Sequence, residues 1–109
     1  MHEIKESDWK IFRQLRPPAL ERLCKRILSE IERVSADGSK GYHERYLEIF
    51  RVLRQRDREV AEAFDGPRRS RALTQIASIK QLGLLTDDES LRFSQETRDA
   101  VNLMLEVRQ

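Results

Sequence analysis

The stretch PPALERLCKRILSEIERV, residues 17 to 34, decides the fold class. At 100° per residue, Leu20, Leu23, Cys24, Ile27, Ile31 and Val34 fall on one stripe, and Arg22, Lys25, Arg26, Ser29 and Arg33 fall opposite. That is the pattern of a helix with one face against a core. Proline fixes φ near its helical value and lacks an N–H, so Pro17 and Pro18 are expected to end a short first helix, DWKIFRQLR, capped by Ser7, and to open this second one.

Working outward, every other segment also reads as helix. SADGSKG, residues 35–41, is a turn rich in residues that tolerate a left-handed backbone. It lacks the spacing and preceding strand of a phosphate-binding P-loop. A third helix is expected from about Tyr42 to Phe64, with Tyr42, Tyr46, Ile49, Phe50, Leu53, Val60 and Phe64 on one face. Arg51, Arg54 and Arg58 gather on the other side, with Glu48 and Glu62 at ion-pairing distances along the helix. DGPRRSRALTQIASI, residues 65–79, opens a fourth helix with Asp65 as cap and Pro67 in its first turn, and Gly83 closes it as a left-handed C-cap. Thr86 and Glu89 form a capping box. Ser94 caps a last helix that buries Val101, Met104 and Leu105. The fold class is all-α: a small antiparallel helical bundle of three or four main helices plus two short ones. Residues 1–109 form a single domain, with residues 1–16 a short amphipathic segment packed on or beside the bundle.

Composition bounds the function. Hydrophobic residues make up 39% of the chain, and 21 basic residues nearly balance 19 acidic ones, for a net charge of +2. A chain with that much apolar content and so little net charge folds, and it lacks the broad basic excess of a dedicated nucleic-acid surface. One cysteine, Cys24, excludes an internal disulfide framework and fits a reducing compartment. No apolar run approaches the roughly 18 residues of a membrane span, and the N-terminal residues lack a signal core. A cytoplasmic location is expected, without membrane contact.

The landmarks SDWKIFRQLR, ERYLEIF, RDREVAEAF, RRSRALTQIA, GLLTDDE and FSQETR resemble a group of small, uncharacterised bacterial all-helical proteins with no assigned function. The resemblance covers most of the chain. It implies a bacterial origin and a helical fold, and brings no active site with it.

Catalytic chemistry finds little purchase. The histidines are His2 and His43, and the positions three and four residues from His43 hold Ser39, Lys40, Tyr46 and Leu47, so no helical metal pair forms. Cys24 lies on a core stripe, where a thiol is packing material. No nucleotide fingerprint is present. The expectation is a non-enzyme with no catalytic residues, cofactor or metal.

Three features invite a role. Arg68, Arg69 and Arg71 stand at a helix start, where the macrodipole disfavours cations; with Ser70 and free backbone N–H groups they are a candidate anion-binding site, or else nearby acids neutralise them. Asp57 projects close to an apolar face and is expected to pair with Arg69 as a structural ion pair. Trp9 and Phe12 are candidate interface residues, unless their segment simply covers the bundle. The leading reading is a protein-interaction module, engaging an unknown protein partner or self-associating, by the aromatic N-terminal segment or an exposed helix face. The alternative is an accessory protein that binds nucleic acid or another polyanion through the arginine cluster.

Overall fold

A computed structural model describes residues 4–109; His2 lies outside them. The elements are α1 (Glu6–Ser35), α2 (Tyr42–Phe64), α3 (Arg69–Gln81), α4 (Asp87–Ser90) and α5 (Gln95–Arg108), with no strand among the described residues. The fold is the expected all-α bundle.

The first helix departs from expectation. It begins after Lys5, with Ser7 inside it, and runs unbroken through Pro17 and Pro18 for 30 residues. Each proline removes an intrahelical hydrogen bond and crowds the carbonyl four residues back. The buried series Phe12, Leu15, Ala19 and Leu23 continues through them on one face, and its packing holds the helix together. Residues 6–16 are therefore not a separate lid but part of α1.

α3 is the centre of the domain. From Gln75 to Ile79 every residue is buried, and the helix packs against α1, α2 and α5. It ends in a Schellman motif: Gly83 (φ 71°) donates to the Lys80 carbonyl at 2.9 Å and Leu84 to that of Ile79 at 3.1 Å. Thr86 and Glu89 make the expected capping box on α4, and Ser94 caps α5. The start of α3 lies later than expected. Arg68, not Asp65, is the N-cap and provides no side-chain bond. The Asp65 carbonyl instead accepts from Gln75 Nε2 at 2.8 Å and Arg71 Nη1 at 3.1 Å. In the α1–α2 turn, Asp37 accepts from the Ser39 amide at 3.1 Å, and neither Gly38 nor Gly41 needs a positive φ.

Helix lengths set the shape. At 1.5 Å per residue α1 is about 45 Å long and α2 about 34 Å, whereas α3 and α5 reach only about 20 Å. The short helices cluster at one end, so the rest of the α1–α2 hairpin projects as a two-helix arm, and the molecule measures 51 × 24 × 24 Å. Between Cys24 and Glu62 no residue is buried.

Candidate interaction surface

The apolar stripe of α2 exists as the periodicity requires, but only its base is covered. Phe64 is buried and Val60 partly so, where α3 meets α2. Beyond the reach of α3, Tyr42 is 86% exposed, Tyr46 64%, Phe50 52% and Leu53 47%. Leu28 of α1 and Leu47 are exposed beside them. An aromatic face of this size on a single chain is uncommon away from binding surfaces.

Arginines dress these rings. The Arg45 guanidinium lies 4.7 Å from the Tyr42 ring centre and Arg54 lies 5.7 Å from that of Phe50. His43 stacks on Tyr46 at 6.4 Å. Arg45 also reaches back to the Ser35 carbonyl at 2.7 Å, fixing the tip of the arm. The ion pairs expected along α2 do not form: Glu48 takes Lys40 at 2.7 Å, and among the described residues no carboxylate pairs with Arg51, Arg54 or Arg58.

The other side of the arm is committed to the fold. A groove of about 540 Å³ there is lined by Arg22, Lys25, Arg26, Arg33 and Arg56, with Glu30 and Glu59. Arg56 bridges Glu30 (2.9 Å) and Glu59 (3.0 Å), which hold its pKa well above the ordinary arginine value. Arg26 donates to the Leu82 carbonyl at 2.6 Å and Arg22 to that of Leu84 at 2.8 Å, holding the turn that follows α3. Arg22 also grips Glu89 at 2.6 Å, the leading reason the Glu89 carboxyl falls to about 2. Arg22, Arg26 and Arg56 thus tie elements together, whereas on the aromatic side only Arg45 makes such a tie, at the tip.

The residues singled out from sequence land elsewhere. Phe12 is 1% exposed in the core, so it is not available as an anchor, and Trp9 is half-buried beside it with ring centres 5.7 Å apart. Asp57 is exposed and forms no pair with Arg69. It continues the uncovered stripe of α2 and is exposed, so it carries no burial cost that a partner must offset. Arg69 instead pairs with Glu6 and lies 5.9 Å from the Trp9 ring centre. Arg71 folds onto the Asp65 and Gly66 carbonyls. The arginines thus diverge: Arg69 turns to α1, Arg71 to the preceding loop, and Arg68 and Ser70 stay exposed. Internal partners account for two of the three cations, and the acid responsible is Glu6. Cys24 is half-buried, and among the described residues no three metal-ligating side chains gather.

Asp8 was missed. Its carboxylate is buried and accepts from the Ser94 amide (2.8 Å), the Ser94 hydroxyl (2.6 Å) and the Thr97 hydroxyl (2.7 Å), joining α1 to α5. Burial by itself would raise its pKa, but these three donors and nearby Lys5 bring it below the ordinary aspartate value. The signal was available: Asp8, Phe12, Leu15 and Ala19 share one helical face.

Comparison with protein-family models, curated proteins and solved structures finds no match. The resemblance drawn from sequence landmarks gains no support from it.

Proposed function

We propose that this protein is a non-enzymatic interaction module, working in a reducing cytoplasm, whose docking surface is the exposed aromatic face of α2 on the projecting arm. One observation carries the reading. Tyr42, Tyr46, Phe50 and Leu53 form a continuous stripe that nothing in the chain covers, although the same helix buries Phe64 where α3 is present. Tyr and Arg dominate the energetics of protein interfaces because they bring large contact area or several donors at modest entropic cost, and here they stand side by side. Lone solvated faces need no such composition.

The stripe favours a protein occupant over a polyanion. Leu28, Leu47 and Leu53 supply aliphatic surface that a nucleic-acid strand would leave wet, and the chain's overall charge is near balance. Affinity capture from host-cell lysate tests the reading, with wild type and Phe50→Glu as baits, each with and without nuclease. The expected result is a protein retained by wild type after nuclease treatment and lost by Phe50→Glu. Recovery that disappears with nuclease, falls steeply with salt and ignores Phe50→Glu would replace this reading with polyanion binding.

A further inference from the structure

We propose that the occupant of this face is α2 of a second copy of the chain, the two helices packing antiparallel about a two-fold axis beside Phe50. The inference rests on reading that face as the docking surface and names its partner.

A two-fold interface must be complementary to itself, because residue i meets j wherever j meets i. An antiparallel pair centred on Phe50 sets residues equally far before and after it against one another. Read that way, α2 is close to a chemical palindrome. Near the seam Leu47 comes level with Leu53, Tyr46 with Arg54, and His43 with Asp57. Farther round the helix, Glu44, Arg45, Gln55 and Arg56 face away from the second copy, and Arg56 stays with Glu30 and Glu59. The two-fold axis carries each flank of the stripe onto the same flank of its mate, so these level pairs meet diagonally across the seam. Arg54 already lies over the Phe50 ring of its own chain, so it needs only a small swing to reach the partner's Tyr46 ring. Parallel packing in register would instead set Arg54 against Arg54 and Arg58 against Arg58.

Area supports the same occupant. The exposed parts of Tyr42, Tyr46, Phe50 and the three leucines amount to roughly 700 Å², close to the about 800 Å² per partner of a stable interface. Stacking two arms would give an antiparallel four-helix bundle, the arrangement in which a two-helix hairpin gains a core of its own.

Sedimentation equilibrium of the full chain, from about micromolar to several hundred micromolar, tests this. The expected result is a species of twice the 12.9 kDa chain mass at the upper concentrations. Phe50→Glu and Tyr46→Glu should each raise the dissociation constant about tenfold or more, with helical circular dichroism unchanged because both positions are exposed. Asp57→Arg should weaken the dimer, and adding His43→Asp to it should restore the dimer. Leu103→Glu, on exposed α5 surface, should do nothing. A dimer that ignores Phe50→Glu, or that Leu103→Glu dissolves, overturns the proposal. So does a chain that stays monomeric throughout: if Phe50→Glu still abolishes capture of a different protein, only the second copy is wrong, and if capture is indifferent to it, the docking face falls as well.

Discussion

The Asp8 carboxylate accepts the Ser94 hydroxyl at 2.6 Å across 86 residues of chain, and the bond locks the first helix to the last. Ser94 receives in return a fixed orientation in which its hydroxyl oxygen also caps α5 through the Thr97 amide. Asp8→Ala leaves the Ser94 amide and the Ser94 and Thr97 hydroxyls without their acceptor. A loss of about 2–3 kcal/mol is expected in urea unfolding, the range for hydrogen bonds to a charged group. A loss near zero would mean that water replaces the carboxylate at no cost.

The same carboxylate makes stability depend on pH. Asp8 and Glu89 both hold pKa values in the fold below their ordinary 3.8 and 4.5, Glu89 at about 2. The unfolded chain therefore takes up protons first as pH falls. Their contribution is complete above about pH 5 and drains away toward pH 2, so the thermal midpoint should decline across that window. Glu89→Gln, which leaves a weaker cap and no ion pair, should flatten the decline; an unchanged acid limb would remove Glu89 from it.

Pro17 and Pro18 sit in the interior of α1, where an interior proline costs about 3 kcal/mol relative to alanine. Replacing either by alanine restores an N–H for the carbonyl of Arg13 or Gln14, while the unfolded chain gains some freedom. The expected net effect is a stabilisation of about 1–2 kcal/mol. Destabilisation by Pro18→Ala would show that the prolines shape a bend that the core requires.

Two phenylalanines should behave oppositely. Phe12→Ala empties a core site and should cost about 3–5 kcal/mol. Phe50→Ala, measured under dilute conditions, should stay within about 0.5 kcal/mol of wild type. Amide exchange should follow the same division, slowest in α3 and fastest toward the tip of the arm, where no residue is buried. Equal protection of the α2 N-terminal half and α3 in a dilute monomer would contradict the picture of an unsupported arm.

How much of this was legible depends on how local each determinant is. The Thr86–Glu89 box and the Gly83 cap are read within four residues of chain and appear as expected. The proline pair was misread because local propensity says stop, whereas the Phe12-to-Leu23 face, packed on helices far along the chain, says continue. The α2 stripe was visible in sequence, but periodicity tells only that a face is apolar. Whether anything covers it depends on the lengths and placement of α3 and α5, which a single-helix pattern does not contain. Asp57 and Asp8 make the point together. Both sit on apolar faces, and only tertiary packing decides that Asp8 is buried among donors and Asp57 stays in water.

The most direct test of an interaction surface on α2 is site-specific photocrosslinking in the living host, with a benzophenone side chain in place of Phe50, and in place of Leu103 as comparison. The expected result is a discrete protein adduct from position 50, including one at twice the chain mass, and none from position 103. Adducts from position 103 with none from position 50 would contradict the assignment of α2 as the face through which this protein acts.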